Sequence, residues 1–219
     1  MDAAVTPPKA NPPAAPKSRI RARNEARLLD AAQEAFAEFG FHGATVDQIA
    51  ALAGMSKPNL HYYFKRKRDL YLAVMQRTLD LWLEPFQELD PAGDPAVELS
   101  RYIARKLELS YDNPQASRVF ANEILQGAPL LHEYLEGELR QMVRRKARVI
   151  RQWIKAGKLA DTDPYHLIFL IWAATQHYAD FAPQVRAVMG KRQLTRRDFK
   201  DIEKSMCRLL LNGLLPRAD

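Results

Sequence analysis

Between residues 56 and 68 the sequence groups side chains that bind phosphate groups and the edges of nucleic-acid bases. Lysine, asparagine, histidine and tyrosine donate hydrogen bonds to phosphate oxygens and to base edges in a DNA groove. The candidates are Ser56, Lys57, Asn59, His61, Tyr62, Tyr63 and, slightly later, Lys67. This combination of side chains favours DNA binding.

Residues 65–68 are four consecutive cations, placed where a new helix is expected to begin. Cations are mildly unfavourable at a helix N-terminus, because the helix dipole is positive there. An external anion would remove that penalty, and DNA phosphate is the natural candidate. In a competing interpretation, Tyr62, Tyr63 and Phe64 are core aromatics and the cations form a solvated turn.

The elements that must position these residues are short helices. The apolar pattern predicts a helix over residues 19–39, closed by Gly40 as a C-cap. Its predicted inward stripe is Leu28, Ala32, Ala35, Phe36 and Phe39. Thr45 and Gln48 form a capping box for a helix that runs to about residue 52, and Ser56 is the N-cap of a helix over 57–64. Two short helices joined by a glycine-containing turn are typical of a helix-turn-helix, whose second helix enters the major groove.

The composition predicts an all-α fold. Leucine and alanine together number 58 residues, whereas valine, isoleucine and threonine number 24, and only 9 of 219 residues are glycine. The longest apolar run, residues 167–174, is far shorter than the roughly 20 residues of a membrane span. The N-terminus lacks the apolar stretch of a secretory signal, and the single Cys207 cannot form an internal disulfide, so we expect a cytoplasmic protein that does not contact a membrane.

The charge and proline distributions divide the chain into three parts. Residues 1–18 are predicted to be a disordered, basic, Pro/Ala-rich arm, which either solubilises the chain or follows the DNA backbone or minor groove. Residues 19–66 form the expected helix-turn-helix domain. Residues 67–219 form a larger helical domain for effector binding and dimerisation. Its predicted helices span residues 67–89, 95–112, 114–126, 131–157, 164–182 and 195–213.

The N-terminal motif resembles the signature of TetR-family transcriptional regulators. The matching residues are Gly40-Phe41, Thr45-Val46, Ile49-Ala50, Ala53-Gly54, Ser56-Lys57, Leu60, Tyr62-Tyr63-Phe64, Lys67 and Leu70. The resemblance implies a homodimer that binds a palindromic double-stranded DNA operator. It also implies that the DNA phosphates are contacted by Thr45, Lys57, Tyr62, Tyr63 and Lys67. The residues nearest the bases would be Lys57, Asn59 and His61. Pro58 and Arg68 depart from the residues usual in the family.

The C-terminal segments 113–118, 127–131 and 166–185 resemble a pyrimidine-responsive member of that family, which controls uracil-utilisation genes. The resemblance implies uracil or thymine as the effector and a mainly repressing role. Trp172 and Gln176 are four residues apart and so share one helix face. Tryptophan offers a flat surface for a ring, and a glutamine amide matches a C=O and N–H edge. Trp82, as an aromatic wall, and Arg118, as a donor to a ring carbonyl, are the further candidates.

Other interpretations of the C-terminal helices stay open. Trp172 and Gln176 are also compatible with a core or dimer contact, and by spacing alone the ligand is any small, flat polar molecule. The apolar faces of the last two helices, with Leu167, Ile171, Ala174, Leu209, Leu210 and Leu214, predict a four-helix dimer interface. The eight cations between residues 140 and 158 are interpreted as a solvated helix face.

A helical-bundle enzyme or metal protein is the rival class. The sequence holds no Glu-x-x-His, HExxH, Walker, GxSxG or Cys-x-x-Cys motif. His177 and Asp180 share a helix face, but two ligands make a weak metal site. We therefore predict no enzymatic activity, no cofactor and no metal site.

Overall fold

The computed structural model describes residues 16–214, and these residues form helices without any strand. This observation confirms the predicted all-α fold. Residues 1–15, which make up most of the predicted arm, lie outside the described part. The first helix, α1, already begins at Pro16, three residues before its predicted start.

Three helices form the N-terminal unit: α1 (Pro16–Gly43), α2 (Val46–Leu52) and α3 (Lys57–Tyr63). Gly40 breaks α1 with φ +68°, a conformation that glycine adopts without the clash of a Cβ. Because of this break, Phe41 packs on the buried Phe36, with ring centroids 6.3 Å apart. The prediction that Phe39 belongs to the inward stripe is wrong, since its side chain is exposed.

The larger domain begins with α4, the long helix that connects it to the N-terminal unit. Its helices are α4 (Lys67–Gln87), α5 (Pro95–Asp112), α6 (Pro114–Leu125), α7 (His132–Tyr134), α8 (Arg140–Lys155), α9 (Pro164–Asp180), α10 (Ala182–Val188) and α11 (Arg196–Leu214). Asp94 and Asp163 cap α5 and α9 by accepting backbone N–H groups, and a proline follows each cap.

Two segments differ from the predicted helices. The single helix expected over 131–157 is interrupted, because α7 passes through a π-helical turn, Leu135–Leu139, before α8 begins. The helix expected to reach residue 182 ends at Asp180, and the short α10 was not predicted. Phe181 leaves the helical conformation there, and Pro183 lies in the first turn of α10.

The core of the larger domain lies where α5 packs against α4, α9 and α11, with α8 covering α4 and α9. Trp153 of α8 is buried and donates its Nε1–H to the carbonyl of Pro91 at 3.1 Å. Lys146 Nζ donates to the carbonyls of Gln87 and Leu89, at the C-terminal end of α4. The other seven cations between residues 140 and 158 are exposed, as predicted.

The apolar faces of α9 and α11 are divided differently from the prediction. Leu167 and Ile171 are buried inside the protomer, so they are not available to a partner. Leu209 is exposed as predicted, and Phe169 and Leu170 are the further large apolar side chains exposed on these two helices. Within residues 16–214, no helix has both the length and the apolar character needed to cross a membrane.

Candidate nucleic-acid interface and small-molecule pocket

The orientation of α3 is fixed by the side chains that it buries. Leu60 and Phe64 enter the core of the N-terminal unit, so the opposite side of the helix faces solvent. Lys57 and Asn59 are exposed on α3, and His61 is half-buried. The surface of α3 therefore carries the predicted DNA-binding side chains outward.

The two tyrosines of α3 have different surroundings. Tyr62 is 65% exposed, which contradicts its interpretation as a core aromatic, whereas Phe64 is buried as expected. Tyr63 is half-buried, and its hydroxyl accepts a hydrogen bond from Asn24 Nδ2 at 3.3 Å. The rings of Tyr62 and Tyr63 meet edge to face at 5.2 Å. Tyr63 thus connects α3 to α1, while Tyr62 is free to contact a ligand.

The hydroxyl groups of Thr45 and Ser56 are used to start helices. Thr45 Oγ1 accepts from Gln48 N at 3.2 Å, and Gln48 Oε1 accepts from Thr45 N at 2.8 Å, which confirms the capping box. Ser56 Oγ accepts from Asn59 N at 3.4 Å. Between these helices Gly54 has φ +61°, and an added Cβ would lie 3.0 Å from Arg27 Nη2. The positive φ is therefore the reason why this turn favours glycine, since the guanidinium is the far end of a flexible side chain.

Lys57 is held near the surface of α2 by a weak ion pair. Its Nζ lies 3.0 Å from Asp47 Oδ2, and both side chains are more than half exposed. Exposed pairs of this kind contribute only about 0–1 kcal/mol. Lys57 can consequently exchange Asp47 for a phosphate or a base at little cost.

The four cations of residues 65–68 do not form one uniform group. Arg66 pairs with Asp69 at 2.8 Å; the Arg66 hydrogen bond lowers the pKa of Asp69, and the same pair raises the pKa of Arg66. Lys67 Nζ donates to the carbonyls of Ala44 at 2.9 Å and His42 at 3.4 Å, at the end of α1. An external anion is therefore not needed to compensate these two cations. Lys65 and Arg68 are exposed and form no ion pair within residues 16–214.

A small pocket lies in the larger domain, about midway along α4. Its empty volume is about 380 Å³, including the space at the mouth that is open to solvent. Leu79, Leu83, Phe120 and Leu139 form its apolar lining, and Thr78, Trp82, Lys106, Trp172 and Gln176 complete it. The structure thus brings three of the four predicted ligand residues, Trp82, Trp172 and Gln176, to one place.

Trp172 is fixed by its neighbours. Its Nε1 donates to the hydroxyl of Tyr102 at 2.6 Å, and its ring contacts Phe86 and Phe169 with centroids 5.9 Å away in each case. Burial raises the pKa of Tyr102, so this hydroxyl stays protonated. Since the N–H group of Trp172 is already used, the indole offers a ligand its face and not its polar edge.

Gln176 lies one helical turn beyond Trp172 and is half-buried in the pocket wall. Its amide forms no hydrogen bond with any of the described residues, so both its donor and its acceptor are available. An apolar pocket with a fixed aromatic face and one open amide is suited to a flat ring that carries a C=O and N–H edge.

The sequence interpretation missed Lys106, which is 3% exposed and lines the pocket from α5. Its Nζ lies 3.6 Å from the centroid of the Trp82 ring. Trp82 therefore has a cation on one face, and its Nε1–H is buried without a hydrogen-bond partner among the described residues. The available signal was a lysine within the apolar face of α5, between Ile103 and Leu107.

Arg118 is not brought to the pocket. It is exposed on α6, while the neighbouring Ser117 is buried and donates to Asp180, and Phe120 is the residue of α6 that lines the cavity. Phe86, Phe169 and Tyr178 likewise do not line the pocket. The first two support Trp172 from behind, and Tyr178 packs on Phe199.

His177 and Asp180 take part in packing and hydrogen bonding. The His177 ring stacks on Phe181 at 5.0 Å, and Asp180 accepts from Ser117. Residues 16–214 contain no group of three or more His, Cys, Asp or Glu side chains placed to hold a metal ion.

The chain is similar to known bacterial regulators along both of its parts. Residues 28–74 match the family model of bacterial regulatory proteins of the tetR family, and residues 75–217 match that of the YcdC-like protein C-terminal region. The HTH-type transcriptional regulator RutR of Escherichia coli (strain K12) is 47% identical over 201 residues, which cover 92% of this chain and 95% of RutR. The HTH-type transcriptional repressor SCO4008 of Streptomyces coelicolor is 27% identical, covering 75% and 82% of the two chains. Among solved structures, the transcriptional regulator SCO4942 of Streptomyces coelicolor has a TM-score of 0.70 at 26% identity, covering 89% and 99%.

Proposed function

The chain belongs to the TetR family of bacterial transcriptional regulators, and we propose that it is a pyrimidine-responsive repressor that uracil or thymine releases from a palindromic operator. Regulation of transcription through DNA binding, without enzymatic activity, follows from the family. The effector, the palindrome and the repressing direction are the proposal. The observation that carries it is the juxtaposition of the fixed Trp172 face and the open Gln176 amide in one small pocket.

For the operator, we propose that α3 lies in the major groove. Asn59 and His61 then lie nearest the bases, and Lys57 reaches a base or a phosphate. Tyr62, Tyr63, Thr45, Lys67 and the N-cap Ser56 contact or approach the backbone. The support is that Lys57, Asn59 and Tyr62 are exposed on α3, while Leu60 is buried.

A palindromic site requires two copies of α3, and regulators of this family act as dimers. We propose that α9 and α11 form the dimer interface through Phe169, Leu170 and Leu209, which are large apolar side chains exposed on the protomer. A homodimer of this kind would place two α3 helices in successive major grooves, about 34–36 Å apart.

For the effector, we propose that the pyrimidine ring stacks on Trp172 and that Gln176 reads its C=O and N–H edge. The apolar wall formed by Leu79, Leu83 and Phe120 excludes water from the ring faces. The sequence resemblance to a pyrimidine-responsive regulator supports this choice over other flat ligands. The alternative is a TetR-family repressor with a different small planar or apolar effector in the same pocket.

Control of DNA binding would pass through the helices that connect the pocket to α1. Tyr71, in the first turns of α4, packs against Phe36 and Phe41 of α1, each at 4.9 Å. Its hydroxyl donates to the buried Glu123 of α6 at 2.8 Å. Because α4 and α6 also line the pocket, a ligand that favours one arrangement of these helices would change the separation of the two α3 helices.

The decisive experiment is an operator-shift titration at fixed salt with increasing uracil or thymine, using a palindrome selected from random oligonucleotides. Release of the operator by uracil or thymine, but not by unrelated planar compounds, would support the proposal. Operator binding that ignores both pyrimidines, together with a thermal shift caused by another planar ligand, would favour the alternative.

A further inference from the structure

Lys106 is buried in the pocket wall without a counter-charge at contact distance. Among residues 16–214 it forms no ion pair within 4.0 Å and no side-chain hydrogen bond. Asp180 is the nearest opposing charge that acts on it, and that carboxylate already accepts from Ser117. Burial lowers the pKa of Lys106 well below its usual value, although the charge of Asp180 acts to raise it. Its Nζ lies 3.6 Å from the centroid of the Trp82 ring.

A second unused donor lies beside it. The Nε1–H of Trp82 is buried and has no hydrogen-bond partner among the described residues. Buried polar groups are nearly always paired, and leaving one unpaired costs about 1–3 kcal/mol. Lys106 and Trp82 both line the pocket, so a bound molecule can supply the missing acceptor.

The two sides of the pocket therefore present different chemistry. Gln176 on α9 offers one donor and one acceptor, whereas Lys106 on α5 and Trp82 on α4 offer donors. A ring imide has an N–H group between two carbonyls. If the amide of Gln176 reads the N–H and one carbonyl, the second carbonyl is left for a donor on the other wall.

We propose that Lys106 is a specificity-determining residue, which with Trp82 Nε1 forms a carbonyl-binding wall and selects cyclic imides carrying a second carbonyl oxygen. This inference rests on the proposed binding of a pyrimidine in the pocket. It goes further by naming the feature that the ligand must have and the residue that reads it. It also assigns Trp82 a role as a donor, since Lys106 already occupies one face of its ring.

The test uses three ligands that keep both ring N–H groups: uracil, 2-thiouracil and 4-thiouracil. In each of the two analogues one carbonyl oxygen is replaced by sulfur, a weaker hydrogen-bond acceptor. Their affinities are measured by calorimetry with the full-length protein and with Lys106→Met, which keeps an unbranched side chain against Trp82. Lys155→Met, at an exposed position of α8, is the matched control. Operator affinity and melting temperature report whether each variant is folded.

We expect the wild-type protein to bind uracil about 10- to 100-fold more tightly than the analogue in which sulfur replaces the carbonyl oxygen facing Lys106. In Lys106→Met this preference should fall to less than about threefold, while the preference over the other analogue persists. Lys155→Met should behave as the wild type. Trp82→Phe, which removes the indole donor but keeps a smaller aromatic ring, should reduce the same preference in part.

Two results would overturn the inference while leaving the pyrimidine effector intact: a wild-type protein that binds uracil and both analogues equally, or an unchanged preference in Lys106→Met. The wild-type measurement decides the first of these even if Lys106→Met does not fold. Absence of any uracil binding by a wild-type protein that still binds its operator would instead overturn the proposed function, and this inference with it.

Discussion

The recognition surface of α3 and the effector pocket use cations in opposite ways. Lys57, Lys65 and Arg68 are exposed, and the ion pair of Lys57 with Asp47 is weak. Lys106 is buried, with an aromatic face as its close partner. The exposed cations of the surface can bind a polyanion such as DNA. The pocket can bind a small ligand only through a few hydrogen-bond donors in fixed positions. With the proposed roles, charge provides affinity at one site and selection at the other.

The two regions also differ in how they are assembled. The recognition surface is built from one continuous segment, in which Thr45, Ser56 and Gly54 fix the local geometry. The pocket takes residues from α4, α5, α6, α9 and the π-helical turn, so its shape depends on the packing of the whole domain. We expect variants to separate the two functions cleanly unless they alter α4, which belongs to both.

The largest expected effect is the loss of effector response in Gln176→Ala. The substitution removes both hydrogen bonds to the ring edge and leaves the ligand N–H without an acceptor, so uracil affinity should fall about 100-fold. Operator affinity should remain near that of the wild type, because Gln176 is remote from α3. Operator-shift titrations with uracil measure both quantities, with Gln152→Ala on the exposed side of α8 as the control. If uracil still released the Gln176→Ala protein from the operator normally, Gln176 would not be part of the effector site.

The opposite separation is expected for Asn59→Ala. The Asn59 side chain is exposed on α3 and forms no hydrogen bond within the described residues, so its amide is open to a base edge. Its loss should weaken operator binding about 10- to 50-fold and relax discrimination at one base-pair position. Uracil affinity measured by calorimetry should not change. If Asn59→Ala instead lowered the affinity for all DNA sequences equally, Asn59 would contact the DNA backbone and not a base. Gln141→Ala, which removes an amide from α8, is the control.

The same difference in assembly explains how much the sequence could predict. The helix-turn-helix was predictable because caps and turns are local: Thr45, Ser56 and Gly54 each act within a few residues of the chain. Trp172 and Gln176 were predictable as a pair because one helix carries both. Their support by Tyr102, seventy residues away in sequence, depends on the packing of α5 on α9 and left no local signal.

The errors have the same origin. Arg118 was the right type of residue for a ring carbonyl, but the buried positions of α6 are Ala116, Ser117, Val119 and Glu123, and the arginine is exposed. Leu167 and Ile171 were assigned to a dimer face because periodicity gives an apolar face without saying which neighbour covers it. Lys106 was overlooked because a lysine within an apolar stripe is usually expected to reach solvent.

A smaller effect should follow from Tyr102→Phe, which tests whether the pocket depends on the packing around it. The change leaves the Trp172 N–H without its acceptor while keeping the ring that packs on Phe86. We expect uracil affinity to fall about 3- to 10-fold, because the indole is less firmly oriented. Operator affinity without effector should be unchanged. Tyr111→Phe, which alters a tyrosine of α5 outside the pocket, is the control, and an equal loss in both variants would contradict a specific role for Tyr102.

The smallest effects concern Lys67 and Arg68, and they decide whether adjacent cations act on DNA alone or also on the fold. Arg68→Ala should lower the affinity for every DNA sequence a few-fold and reduce the slope of log K against log salt by about 0.9, the value for one phosphate.

Lys67→Ala should have the same two effects on DNA binding. In the wild-type protein, two of the three N–H groups of Lys67 Nζ donate to the carbonyls of Ala44 and His42, and the third is left for a phosphate. Lys67→Ala should also lower the melting temperature by about 2–4 °C, since those carbonyls lose a donor worth about 1 kcal/mol. Salt-dependent binding and thermal unfolding of both variants distinguish the two roles: a melting temperature lowered without any change in slope would make Lys67 a structural residue, and a loss confined to particular sequences would refute its phosphate contact.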